Sequence, residues 1–165
     1  MTLPYDLPPE PFDRTSARGA VTVRPLRIGD RAAWTRLWHD YLVFYETAAS
    51  EAQYELNWAR LFDPAEPVFG FLAERGGKAI GLVHIVFHRS FWLAGPSCYL
   101  QDLYADPEVR GAGVGRALIE HVYGVAKAAG SAKVHWLTRH DNAVARRLYD
   151  RIATETGFVQ YAKTP

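Results

Sequence analysis

The residues best suited to chemistry stand in one run, Arg110-Gly111-Ala112-Gly113-Val114-Gly115-Arg116. It follows an apolar segment ending in Leu103-Tyr104-Ala105 and precedes apolar residues at helical spacing. Three glycines at alternate positions let a backbone turn sharply and approach a ligand with no Cβ in the way. If a helix starts here, its first N–H groups lack intrahelical acceptors and carry the positive end of the helix dipole. The run can therefore hold a phosphate or pyrophosphate, with Arg110 and Arg116 adding charge. A Walker-type loop needs Lys and then Ser or Thr after its last glycine, whereas Gly115 is followed by Arg116-Ala117. A dinucleotide fingerprint needs a glycine at 116 and opens the first strand–helix–strand unit, whereas this run lies late in the chain. The plain alternative is a tight connection that holds no anion.

Other reactive side chains suggest less. His84 and His88 lie in a strand-like run, where four residues span about 13 Å, so they do not read as paired metal ligands, and no metal site is expected. Cys98, the single cysteine, reads as a small core residue and cannot form an internal disulfide.

The elements that must position the glycine run follow from pattern. A chain of 165 residues, 48% of them hydrophobic, suffices for one core. Residues 1–20, with Pro4, Pro8, Pro9 and Pro11, are expected to form a flexible tail, leaving 21–165 as a single domain. Residues 21–27 read as a strand. Trp34, Leu37, Trp38, Tyr41, Leu42 and Tyr45 then recur at the spacing of one helical face, predicting a helix over 30–46. That stripe reads as core, with Tyr41, Tyr45 and Glu46 at its far end as a candidate pocket wall. A second helix is predicted over 51–62. Strands follow over 68–74 and 79–87, joined by a Gly76-Gly77 turn, and a third over 98–105. The remainder alternates: helix 113–129, strand 133–138, helix 142–156, strand 158–162. Helices between strands imply parallel pairing in this half and an α/β, mixed-sheet class.

Lys and Arg total 19 against 18 Asp and Glu, so a formal charge of +1 offers no broad field for nucleic acid or an anionic membrane. Met1 to Ala20 lacks the apolar core of a signal peptide, and no 18 apolar residues run together. A soluble, cytoplasmic protein is expected.

Two motifs together resemble the GNAT superfamily of N-acetyltransferases. The run from Arg110 to Gly115 is similar to the family's Q/R-x-x-G-x-G/A pyrophosphate loop. Asn142-Ala143-Val144-Ala145-Arg146-Arg147-Leu148-Tyr149, followed by Gly157-Phe158, is similar to its N-x-x-A-x-x-L-Y and G-F. The resemblance spans roughly residues 21–163. In texture it lies nearest the polyamine and histone acetyltransferases, through residues 41–46, 100–104 and 158–161. It departs from polyamine enzymes where Gln101-Asp102 stands in place of Glu-Asp. The chain also ends a few residues after Tyr161, leaving little room for the last strand of many relatives, so that strand is expected either to be dispensable or to be replaced by one from a partner.

The resemblance implies an acyl-CoA N-acyltransferase fold: a twisted mixed sheet splayed in the middle and flanked by about four helices. It implies acetyl-CoA as cosubstrate and acetyl transfer to a primary amine such as a polyamine, a lysine side chain or an amino acid. The cofactor would be held by Leu103, Tyr104, Ala105, Arg110, Gly111, Ala112, Gly113, Val114, Gly115, Arg116, Asn142, Ala145 and Tyr149. For the chemistry itself, Tyr149 is the candidate donor to the departing sulfur, against a buried structural tyrosine, and Asp102 the candidate base, with His84, His88 and Gln101-bound water behind it, against a merely structural carboxylate. Tyr41, Tyr45, Glu46 and Gln101 would line the substrate pocket. Strict strand alternation puts Gln101 and Asp102 on opposite faces, so only one could face the amine. An acyl-CoA-sensing module without turnover is the competing reading. A homodimer is expected, because an apolar strand over 158–161 would be left without a neighbour.

Overall fold

A computed structural model describes residues 15–109 and 111–164. Among the described residues the order is β1 (Ser16–Arg18), β2 (Val21–Pro25), α1 (Arg31–Phe44), α2 (Glu51–Arg60), β3 (Val68–Arg75), β4 (Lys78–His88), β5 (Ser97–Ala105), α3 (Val114–Ala128), β6 (Lys133–His135) and α4 (Ala143–Ile152). The six strands form one sheet in sequence order, antiparallel throughout except that β5 and β6 run parallel across the α3 crossover. The mixed α/β architecture expected from the sequence is therefore present.

Both faces of the sheet are covered, which is why the central strand β4 reads as a near-continuous apolar run. On one face α3 buries Ala117, Leu118, Val122 and Val125 against Phe71, Val83, Ile85 and Phe87. On the other, Trp34, Leu37 and Trp38 of α1 pack on Leu72 and Leu82, with Tyr54 and Trp58 of α2 against them. Gly81 permits the close seating of α3: a Cβ there would lie 2.7 Å from Val114 Cγ1 and 3.0 Å from the Tyr104 carbonyl oxygen.

Several sequence expectations need correction. Residues 16–18 lie inside the stretch expected to be a tail, yet they form β1, paired with Val21–Val23. Arg18 on that strand forms an ion pair with Glu120 of α3. The strand expected over 133–138 stops at His135, and the helix expected to 156 stops at Ile152. The strand expected over 158–162 is absent: residues 154–164 have no regular structure, with Phe158 76% and Tyr161 92% exposed. Strand preference reflects fit to a pleated, half-buried surface, and this exposed segment pairs with no described strand. On α4, Leu148, Tyr149 and Ile152 pack against the α3-side core, while Val144 is 61% exposed.

Candidate active site

The glycine run ends at the N-terminus of α3. Gly113 is its N-cap, in the left-handed region at φ +77°, and Gly111 lies at φ +81°. Having no side chain, Gly113 leaves the first N–H groups of the helix open to an outside acceptor. A Cβ on Gly111 or Gly113 would meet nothing within 4 Å, so the loop borders open space. Val114 and Ala112 pack against the α3-side core, while Arg116 Nε lies 3.1 Å from Glu120 Oε1. Arg110 lies outside the described residues.

β5 and β6 open away from one another beside this loop. Only Ser97–Tyr99 of β5 pairs with β6, through Lys133–His135, so the stretch carrying Leu103, Tyr104 and Ala105 has no β6 partner. A gap of this kind, leading from the α3 N-terminus into the sheet, suits an extended polar chain that needs backbone hydrogen bonds.

β5 also carries a bulge. His84 pairs with Asp102 but Ile85 pairs with Leu100, leaving Gln101 as the extra residue. The bulge overturns the strict alternation expected from the sequence. Leu100 and Leu103 both face α3, while Gln101 and Asp102 line one cavity on the α1–α2 side. That cavity, about 150 Å³, is also lined by Trp38, Asn57, Arg60, Leu61, Phe69 and His84. His84 Nδ1 lies 2.9 Å from Asp102 Oδ2, and Trp34 Nε1 donates to His84 Nε2 at 2.8 Å. Burial, followed by the charge and hydrogen bond of Asp102, pushes the Tyr41 phenol well above its ordinary value, so Tyr41 stays protonated as a donor.

Tyrosines connect this cavity to α4. The rings of Tyr41 and Tyr45 meet at a tilt of 60° with centroids 4.9 Å apart, and Tyr45 interacts electrostatically with both Tyr99 and Tyr149. Burial raises the Tyr149 phenol to about 12, and its ring packs edge-on against Trp136 at 5.3 Å. Glu46 is exposed just past the end of α1, in a left-handed conformation at φ +56°, where Thr47 N–H reaches the Leu42 carbonyl and closes the helix. Asn142 caps α4: its Oδ1 accepts from Ala145 N–H and its Nδ2 donates to Thr138 Oγ1 at 3.1 Å. His88 lies apart from His84, with its Nε2 3.2 Å from His135 Nε2. Among the described residues, no three His, Cys, Asp or Glu side chains converge as metal ligands, and no helix is long and apolar enough to cross a membrane.

The structure thus brings together Tyr41, Tyr45, Gln101, Asp102 and Tyr149, and places the loop 111–116 at the head of the β5–β6 gap. Sequence reasoning missed Arg60, Tyr99 and the Trp34 contact. Arg60 ends α2 and reaches the cavity only because α2 folds back over the sheet, so no local pattern could have marked it.

Residues 32–153 match the acetyltransferase (GNAT) family. The chain is 35% identical over 145 residues to the D-amino-acid N-acetyltransferase HPA3 of Saccharomyces cerevisiae, covering 87% of this chain and 90% of that protein. It is 29% identical to the uncharacterized N-acetyltransferase YhfO of Bacillus subtilis, over 86% and 95% of the two chains. Among solved structures, AAC(6')-Iy in complex with the bisubstrate analog CoA-S-monomethyl-acetylneamine superposes with a TM-score of 0.77 at 17% identity. That match covers 89% of this chain and 99% of the other, and it speaks to the fold.

Proposed function

We propose, from the premise that this chain belongs to the acetyltransferase (GNAT) family and is an acetyl-CoA-dependent N-acetyltransferase, that its acceptor is the amino group of a small α-amino acid. The residues fit the cosubstrate. The open N-terminus of α3 with Gly111, Gly113 and Gly115 would hold the pyrophosphate, and the backbone from Leu103 to Ala105, unpaired on the β6 side, would receive the pantetheine arm. Acetyl-CoA supplies an acetyl thioester, an electrophile whose leaving group is a thiolate. Tyr149, kept protonated by burial, would hydrogen-bond the departing sulfur. Asp102 would bind the acceptor ammonium and help remove its proton, with Tyr41 and His84 holding the carboxylate.

The observation that carries the acceptor class is the pairing of Asp102 and Arg60 in one small cavity. A zwitterion presents an ammonium and a carboxylate, and these two side chains complement both. Arg60 Nε lies 3.4 Å from Glu66, which would leave the end of its guanidinium fork to the substrate carboxylate. A polyamine offers a second cation instead, which the guanidinium would repel. The yeast relative's described activity on D-amino acids supports the same class. Arg60→Gln should raise KM for an amino acid about tenfold or more, and leave KM for the corresponding decarboxylated amine little changed. Equal effects on both would reject the assignment.

A homodimer completes the proposal. Residues 153–160 and β6 with the segment after it border an open groove of about 620 Å³. Phe158, Val159 and Tyr161 stand exposed beside it. A second copy of the chain, donating or accepting this apolar segment, would cover both.

A further inference from the structure

We infer that Trp34 and His84 act as positioning residues that fix Asp102 as the amine-binding carboxylate, and that His84 itself cannot serve as the base. The inference rests on the assignment of Asp102 to the acceptor ammonium. An indole N–H can only donate. Trp34, fully buried in α1, donates to His84 Nε2 at 2.8 Å, so that nitrogen carries a lone pair and no hydrogen. The single ring N–H is then on Nδ1, from which it is donated to Asp102 Oδ2 at 2.9 Å. Both imidazole nitrogens are occupied, leaving neither a lone pair for a substrate proton nor an N–H for another acceptor.

The direction of the chain matters as much as its length. The opposite tautomer would set the Nε2 hydrogen against the Trp34 N–H and the Nδ1 lone pair against the carboxylate, so the indole selects the tautomer that donates to Asp102. Tyr41, protonated, adds a second donor from α1. The other polar side chains lining the cavity are Trp38 on α1, Arg60 and Asn57 on α2 and Gln101 on β5; Val68 and Phe69 of β3 contribute none. Asp102 is thus oriented by two donors, Tyr41 on α1 and His84 on β4, the second held in its tautomer by Trp34, and its remaining lone pairs are left to the substrate.

Ring nitrogen-15 resonances of His84 in the folded protein test the tautomer, expected to show a pyridine-type Nε2 and a pyrrole-type Nδ1. Turnover tests the consequence. A glutamine can accept from Trp34 and donate to Asp102 in the same sense, so His84→Gln should stay within about fivefold of the parent in kcat/KM for the amine. His84→Leu should lose about 10- to 100-fold, with KM for acetyl-CoA unmoved. A protonated Nε2, or a glutamine variant as impaired as the leucine variant, would overturn the inference. Asp102→Asn separates it from the reading beneath: full activity there would sink the assignment of Asp102. A dead Asp102→Asn beside a fully active His84→Leu would sink only the role of the chain. Should His84→Leu fail to fold, the resonances of the parent protein and the glutamine variant still decide.

Discussion

Gly113→Asp separates the anion-binding role of the loop from its role in folding. In the protein alone the cost is confined to the backbone. Gly113 sits at φ +77°, where an L-residue costs about 1–2 kcal/mol, and its Cβ would meet nothing within 4 Å. Aspartate is among the residues that tolerate this region. As an N-cap it also regains about 0.5 kcal/mol from the helix dipole, so the net loss should be about 1 kcal/mol, a fall in Tm of about 2–4 °C. A ligand pyrophosphate would respond differently. A carboxylate about 6 Å from one phosphate charge, at an effective dielectric of about 20, costs about 3 kcal/mol, or roughly a hundredfold in Kd. Titration calorimetry with coenzyme A, alongside thermal melting, reads both numbers. Gly113→Ala should show the backbone cost with a smaller loss of affinity. A folded Gly113→Asp protein that binds coenzyme A within threefold of the parent would refute the assignment of this loop.

Tyr149→Phe keeps the ring that packs on Trp136 and removes only the hydroxyl, so turnover should fall about ten- to a thousand-fold with coenzyme A affinity unchanged. Undiminished turnover, with chemistry limiting, would remove Tyr149 from the reaction. Arg24, part-buried between Asp30 and Glu74, holds the Asp30 carboxyl below its ordinary value by hydrogen bonding, against the opposing effect of burial. Because the folded value is depressed, the stabilisation is complete above the unfolded value near pH 4 and is lost as pH falls through the folded value. Asp30→Asn should therefore cost about 3 kcal/mol at pH 7 and progressively less in acid, and a pH-independent difference in denaturation midpoint would contradict this. Light scattering should return about twice the chain mass of 18.6 kDa, and Phe158→Asp with Tyr161→Asp should return the monomer. A monomeric parent protein would dismiss the dimer.

What the sequence could tell about the site depended on how local the cause was. The glycine loop was legible because left-handed backbone and an uncapped helix start leave a mark within a few residues. The stripe from Trp34 to Tyr45 was legible too, and it serves both readings: Trp34, Leu37 and Trp38 are buried core, while Tyr41 hydrogen-bonds Asp102 of the cavity and Tyr45 packs on Tyr41. The orientation of Asp102 was not legible, because the bulge at Gln101 exists only in the register between β4 and β5. The donation from Trp34 to His84 joins residues 50 positions apart and depends on how α1 seats on the sheet. The segment 158–162 has a strand-like composition, but a strand also needs a neighbour, and composition does not say which chain provides it.

Acetyl transfer to an amino acid, proposed for the cavity lined by Asp102 and Arg60, can be followed by mixing the protein with acetyl-CoA and single D- or L-amino acids and reading free thiol release and the mass of the product together. Thiol release should depend on the amino acid, be matched mole for mole by an N-acetylated product, and exceed that with polyamines. Thiol release indifferent to the acceptor, or none with any amino acid while a polyamine is acetylated, would contradict it.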